Sequence, residues 1–568
     1  MINIKLFHSL ITITPGFCPD APELERFQLC SNEPFSFQAA YRITDGSIHA
    51  QVMHVKITSE LDISMYYVNP VPVMHTEIPH LQQVPPVNMY PDFLIPRAVN
   101  PELTPIQAGY NSEPDRVRYL ELGRNTALKA YCDSWQTLWF TINEDSHDLT
   151  PGTYEIRVDL LSDSLELMGS QTLTLEVLPV QLPDQKLIYT NWFHCDSLAD
   201  FYQVELYSPA YWKIFDDFVR KASRNGMNMI LTPAFTPALD TPVGRERMKT
   251  QLVDILADNG QYQFDFTRLK AFVRRCQNLG ITHFEHAHLF SQWGANTAPN
   301  IYATVNGEEK RIFGWDNPSD SDEYRTFLRA YLVALRQFLA DENLTDKFLI
   351  HLSDEPKPAD AECFLRAKAG IADLLEGLTC GDALSNYELY ANGAVSLPIV
   401  TTWHTADFLG RCDNMWCYYV GGGVMEGLSS RLILVPRQRN RILGVQLYYY
   451  KIKGFLHWGY NYYYGELSQG IFDPKTDTCG GFSTASTSYL VYPGNDGTAL
   501  QSVRQKNFAE ALLDVRALEL LESLAGRQVC EDIIHKYFGK PDFFQSPETP
   551  ELFLAFRAEV NEAIKVRL

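Results

Sequence analysis

Between residues 208 and 356 the sequence repeats one grammar three times: a capped helix, a short turn, then an apolar strand. "SPAYWKIFDDFVRKASRNG" places Ser208 as N-cap and Pro209 at the first helical position, and it stops on Gly226. The strand "MNMILTPAF" follows at once. "DFTRLKAFVRRCQNLG" stops on Gly280 and runs into "ITHFEHAHLF", and a helix over about 321–340 runs into "KFLIHLSDEP". Consecutive helix–turn–strand modules require parallel strands joined by crossover helices, which excludes all-β and all-α folds for this part of the chain. Further strands are predicted at "LIYTNWF", "ALSNYEL", "LPIVTTWH", "MWCYYVGG" and "GFLHWGYNYYY". The total of eight is the count of a (β/α)8 barrel. The fifth to seventh of these start only about fifteen residues apart, too close for a full crossover helix between each pair. Either that quarter of the barrel is degenerate or one of these strands is misplaced.

The chain before the modules reads differently. "GTYEIRVDLLS" alternates Tyr154, Ile156, Val158 and Leu160 with mostly polar neighbours, and "QTLTLEVLPV" does the same with Leu173, Leu175 and Val177. "TLWFTINEDSHDLTPGTYEI" is strand, polar loop, Pro-Gly turn and strand. A β-sandwich fits this pattern, and "LPVQLPDQK" with Pro179 and Pro183 reads as a linker. The segment "LQSVRQKNFAEALLDVRALELLESLAG" is helical. The expected organisation is an N-terminal β-sandwich over 1–183, a (β/α)8 TIM-like catalytic barrel over 184–500, and C-terminal helices over 501–568 packing on the barrel.

A formal net charge of -21 over 568 residues disfavours nucleic acid and anionic membrane surfaces as partners. Eleven cysteines show no C-x-x-C spacing, the pattern of reduced thiols rather than of a zinc site or disulfide framework. "MINIKLFHSLITITPGF" lacks the apolar run and cleavage site of a leader and reads as a first strand. No stretch approaches the ~18–20 apolar residues of a membrane helix. A cytoplasmic location is the expectation.

Active sites of such barrels form where the strands end. Those ends carry Trp192 and His194, His286 and His288, Asp354 and Glu355, Glu388, Trp403 and His404, Tyr418 and Tyr419, and Trp458, Tyr460 and Asn461. Aromatic faces for C–H stacking, mixed with carboxylates and hydrogen-bonding groups, suit a carbohydrate. Each has a plainer reading: the acids as a helix start, the aromatics as barrel filling, the histidines as core residues. The adjacent acids at 354 and 355 serve a conventional two-carboxylate glycosidase poorly, because that chemistry wants carboxyls on opposite sides of the anomeric carbon. They serve substrate assistance well. One acid would orient a 2-acetamido group that attacks the anomeric carbon, while the other protonates the leaving oxygen. The orienting acid is expected to stay ionised and the donor to have the raised pKa.

"MYPDFLIP" (89–96), "FEHAHLFSQWGA" (284–295), "HLSDEP" (351–356), "GFLHWGYN" (454–461) and "LVYPGNDG" (490–497) together resemble glycoside hydrolase family 123, the β-N-acetylgalactosaminidases. The resemblance spans most of the chain. It implies that Asp354 orients the acetamido group, that Glu355 is the general acid/base, and that no cofactor or metal is needed. His288, Trp293, Trp403, Tyr418, Trp458, Tyr460 and Asn461 are the expected substrate contacts, from their strand-end positions. Two alternatives stand beside this one: a metal-dependent hydrolase using His286 and His288 on one strand face with Asp354 nearby, and a non-catalytic carbohydrate-binding protein. The oligomeric state is not indicated by the sequence.

Overall fold

The computed structural model describes residues 2–46, 50–73, 89–100, 128–419 and 427–568. The chain divides into two compact units, 1–184 with 429–449 and 500–568, and 185–428 with 450–499.

The first unit is built on two five-stranded sheets. One runs Ile2–His8, Phe35–Ile43, Gln136–Ile142, Ile63–Pro72, Met89–Arg97 in spatial order. The other runs Arg26–Cys30, Leu167–Leu178, Gly152–Ser162, Ala50–Thr58, Leu128–Tyr131. The alternation seen in the sequence decides the inner faces. Ile156, Val158, Leu160, Leu173, Leu175 and Val177 all lie in one apolar core with Phe37, Met65 and Phe140 of the facing sheet. Four helices, Arg437–Tyr449, Val503–Ala525, Arg527–Phe538 and Pro550–Lys565, belong to the same unit. Val503–Ala525 begins on the N-cap Ser502, whose hydroxyl accepts from Gln505 N at 3.0 Å. Its charged side chains are buried and paired: Arg504 on Asp92 at 2.9 Å, and Asp514 between Arg441 at 2.7 Å and Arg557 at 2.9 Å. Buried pairs of this kind specify register more than they add stability. The motif "MYPDFLIP" is therefore an edge strand whose buried Asp92 holds a helix start.

The second unit is a closed barrel of eight parallel strands: Ile188–Asn191, Met229–Thr232, His283–His286, Phe348–Ile350, Thr379–Leu384, Leu397–Thr401, Trp416–Tyr418 and Gly454–His457. Its first three crossover helices are those read from the sequence. They span Pro209–Arg224, Thr267–Asn278 and Asp322–Asp341, and the hydroxyls of Ser208 and Ser321 accept from Tyr211 N and Tyr324 N. Gly226 and Gly280 sit at φ +91° and +94°, the left-handed conformation that ends a helix cheaply only with glycine. Short strands, Asp254–Asp258, Gln261–Asp265, Ile301–Val305 and Glu308–Phe313, form a side sheet that the sequence reading did not anticipate.

The crowded quarter is degenerate. The helices after the fifth and sixth strands are Tyr387–Ala391 and Thr405–Phe408, one turn or little more each. The fifth strand also lies earlier than "ALSNYEL". It ends at Leu384, and Asn386 caps the next helix by accepting from Glu388 N at 2.9 Å. Glu388 is thus an exposed helical residue and not a strand end. The tail of the seventh segment, residues 420–422, lies outside the described residues.

The eighth strand starts on Gly454 because the barrel interior leaves no room for a side chain there. A Cβ would enter the Trp416 indole of the neighbouring strand. Gly454→Ala is expected to lower unfolding free energy by about 1–3 kcal/mol, the usual cost of overpacking, read as a lower midpoint in chemical denaturation at unchanged slope.

Candidate active site

The carboxyl ends of the barrel strands enclose a cavity of about 170 Å³. Its lining is Trp192, His194, Leu239, Asp240, Gln292, Trp293, Asp354, Glu355, Ala383, Tyr418, Leu456, Trp458 and Phe482. Both acids of "HLSDEP" reach it. In a regular strand neighbours point to opposite faces, but the fourth strand ends at Ile350 and Glu355 has φ +43°. This left-handed turn of a non-glycine residue brings consecutive carboxyls to one wall. Trp293 (φ +57°) and Asp240 (φ +44°) share the conformation on the preceding two loops. Backbone strain of this sort gathers at functional sites, where the surroundings enforce it.

The enforcing contacts can be named. Trp293 N donates to Asp354 O at 2.8 Å, joining the third and fourth strand-end loops. Asp240 N donates to Gln292 Oε1 at 2.6 Å, and Gln292 Nε2 donates to Thr241 O at 2.9 Å. Asp240 Oδ2 accepts from Tyr462 OH at 2.6 Å and Leu467 N at 3.0 Å. His194 Nε2 lies 2.8 Å from Trp458 O, and its Nδ1 lies 3.2 Å from Arg247 Nη2. A guanidinium only donates and a carbonyl only accepts, so the ring is the neutral Nε2–H tautomer. Burial, followed by the Arg247 charge, holds its pKa down at about 3. Arg247 itself is bound by both oxygens of Asp196, at 2.7 and 2.8 Å.

Asp354 opens onto the cavity but is otherwise enclosed by protein. Burial, and then the adjacent Glu355, push its pKa well above the carboxylate range. Burial and the neighbouring Glu355 thus raise the pKa of the carboxyl that the sequence reading expected to stay ionised. Tyr418 OH donates to Glu355 Oε1 at 2.6 Å, a bond that fixes this carboxyl.

Of the expected contacts, Trp293, Tyr418 and Trp458 line the cavity with the two acids. Trp293 is 42% exposed, and Trp458 is wedged edge-on against Tyr462 and beside Phe482, with ring centres 5.3 and 5.6 Å away. Four others stand elsewhere. His288 is buried, stacked on His351 at 4.6 Å. Tyr460 is buried and donates to Phe218 O at 3.0 Å. Asn461 is buried and clamps the backbone of His194, accepting from its N at 2.9 Å and donating to its O at 3.2 Å. Trp403 lies on a short helical turn after the sixth strand, outside the cavity lining.

His286 and His288 do not share a face, because the third strand ends at His286. His286 turns to the helix Asp322–Asp341, with Nε2 2.6 Å from Tyr331 OH. Among the described residues no three His, Cys, Asp or Glu side chains are grouped to hold a metal ion, so the ligand set of a metallohydrolase is not assembled. The sequence reading passed over Asp240, which lies on a loop without a motif, and Gln292, which lies inside "FEHAHLFSQWGA" next to Trp293. It also passed over Glu285, whose signal was a lone carboxylate inside a four-residue barrel strand. No helix among the described residues is long and apolar enough to cross a membrane.

Residues 192–521 match the family model of the glycoside hydrolase 123 catalytic domain. In three dimensions the chain is similar to a family 123 glycoside hydrolase from Clostridium perfringens, described for glycolipid glycan hydrolysis. The TM-score is 0.71 at 12% identity, over 100% of this chain and 98% of that one. A Bifidobacterium dentium β-glucuronidase complexed with coumarin-3-O-glucuronide aligns with 8% identity over 91% and 66% of the two chains at TM-score 0.30. A Parabacteroides merdae β-glucuronidase aligns with 10% identity over 82% and 50% at 0.27. Scores that low carry no argument. No curated protein matches the sequence. The catalytic-domain model spans more than half of the chain, including the whole cavity lining, and the protein belongs to glycoside hydrolase family 123: it is a glycoside hydrolase.

Proposed function

We propose that the enzyme removes terminal β-linked N-acetylgalactosamine, or a closely related 2-acetamido sugar, by a substrate-assisted retaining mechanism. The observation that carries this reading is the pair of sequence-adjacent carboxyls on one wall of a cavity lined by three indoles. Asp354 accepts the acetamido N–H and steers the acetamido oxygen onto the anomeric carbon. As the C1–O bond to the aglycone breaks, Glu355 gives its proton to the departing oxygen, leaving a cyclic oxazolinium whose N–H faces Asp354. Glu355, now ionised, takes a proton from water as that water attacks C1. The sugar is released with its configuration retained.

The pair then needs one proton, in different places at different times. Burial favours the proton on Asp354. A donated acetamido N–H favours the Asp354 anion, and the proton belongs on Glu355 when the glycosidic oxygen lies beside it.

Chromogenic β-glycosides with and without the 2-acetamido group test the reading. Hydrolysis confined to 2-acetamido sugars, together with inhibition by a thiazoline mimic of the cyclised intermediate, is expected. Equal rates on the plain hexosides would overturn it. Glu355→Gln should lower kcat by about 10²–10⁴-fold on a substrate with a poor leaving group and by much less on a nitrophenyl glycoside. Asp354→Asn should lower kcat on both by a similar factor, on the order of 10²–10³.

The Asp354 carboxyl also makes a stability prediction. Its pKa is raised on folding, so its contribution is full below the unfolded value and is lost as pH climbs toward the folded one. Asp354→Asn removes that loss. Its Tm should exceed the wild-type value, by a margin that widens as pH rises above the unfolded carboxyl's value; a constant margin or a lower Tm refutes the assignment.

A further inference from the structure

Beneath the cavity lie three ionisable side chains that the proposed mechanism does not use. Glu285 from the third strand, His351 after the fourth and Asp382 from the fifth are all fully buried. His351 Nε2 bonds Glu285 Oε1, and its Nδ1 faces Asp382 Oδ1 at 3.4 Å. Carboxylate oxygens only accept, so a ring facing one on each side donates from both nitrogens and is an imidazolium. Burial works against that charge, but Glu285 and Asp382 outweigh it and hold the ring's pKa at about 10.

The outer bonds of the two carboxylates run to the cavity wall. Glu285 Oε1 also accepts from Trp192 Nε1 at 2.8 Å, which fixes an indole of the lining. Asp382 Oδ1 accepts from Leu352 N at 2.9 Å and Ser353 N at 3.1 Å, the two peptides leading into Asp354. Besides Glu355, the charged groups acting on Asp354 are His351, which favours its anion, and Asp382, which opposes it. Tyr418 faces Glu355. His288, stacked on His351, is held neutral by burial and then by the His351 charge.

We propose that His351 is a positioning residue for the reaction, a fixed cation in the barrel floor that lets Asp354 ionise when the acetamido group arrives. Glu285 and Asp382 hold that cation and, through it, tie the Trp192 indole to the backbone of the acid pair. The inference rests on the substrate-assisted reading for its catalytic consequence, and on the observed bonds for its electrostatic one.

The test compares wild type, His351→Gln and Glu285→Gln, each checked for folding by circular dichroism. Two quantities are read. The first is the pH profile of kcat/KM on an aryl 2-acetamido β-glycoside. Loss of the cation raises both macroscopic pKa values of the pair, so both limbs should move up by about one unit or more in His351→Gln and less far in Glu285→Gln. A purely structural role lowers the profile and leaves the limbs in place, and that result overturns the proposal. The second is the carboxylic acid C=O band of Asp354, taken as the infrared difference between each protein and its Asp354→Asn counterpart. Its titration midpoint should rise by a similar amount, and an unmoved midpoint also overturns the proposal. If His351→Gln does not fold, Glu285→Gln decides both readings. If wild type shows no preference for 2-acetamido substrates, the proposed function fails, and the infrared titration still decides whether His351 governs Asp354.

Discussion

The left-handed turn at Glu355 is what brings two neighbours in sequence to one wall of one site. Without it Asp354 and Glu355 would diverge, as strand residues do, and a single cavity could not use both. Such a turn is unfavourable for a residue with a Cβ, on the order of 1–3 kcal/mol where the conformation is sparsely populated, so it must be held from outside. The peptide of Trp293 does part of this by donating to Asp354 O. The following Gly294, at φ +119°, lies so close to Asp360 that a Cβ there would come within 2.5 Å of its carboxyl carbon. The loops after the third and fourth strands are thus locked together where Trp293 and Glu355 take up the left-handed conformation. Asp240, strained in turn, is fastened to the same assembly through Gln292.

Electrostatics impose a second constraint. A cavity with an acid pair above two further buried carboxylates would be intolerable without a compensating charge. Arg247 is close by, but both oxygens of Asp196 occupy it, and it serves to keep His194 neutral. The charge balance around Asp354 therefore falls on His351. The arrangement separates two jobs: Arg247 and His194 fix geometry by directed hydrogen bonds, whereas His351, held by Glu285 and Asp382, supplies the positive charge that favours the Asp354 anion.

Much of this was legible in the chain and some was not, for identifiable reasons. Helix caps at Ser208 and Ser321, glycine stops at 226 and 280, and the strand count follow from local chemistry, and they placed Asp354, Glu355, Trp293, Tyr418 and Trp458 near strand ends. The fifth strand was misplaced because Asn386 was taken as part of a strand, although an asparagine before "YELY" is equally an N-cap. His286 and His288 looked like a pair because the reading extended the strand past its last residue. Asn461 sits at a strand end yet faces backbone, and strand position cannot tell a residue that touches the cavity from one that braces a neighbour. Glu285 and Asp382 could have been noticed as charges inside apolar barrel strands, but their meaning depends on His351, which is remote in sequence from both.

The degenerate quarter of the barrel and the chemistry of the acid pair are connected. A retaining glycosidase of the ordinary kind needs its second carboxylate on a different strand, about 5 Å across the cleft, so the barrel must hold two distant strand ends in fixed relation. Here the fifth to seventh strands contribute Ala383 and Tyr418 to the cavity and, among the described residues, no carboxylate. Their crossover helices have shrunk to four or five residues. Under the proposed substrate-assisted reaction that demand falls away, because the sugar would carry its own nucleophile and both acids stand on one loop. What the cavity must then keep constant is the turn at Glu355 and the floor beneath Asp354. The third and fourth strands, each flanked by a full crossover helix, supply the turn and, with Asp382 of the fifth, the floor.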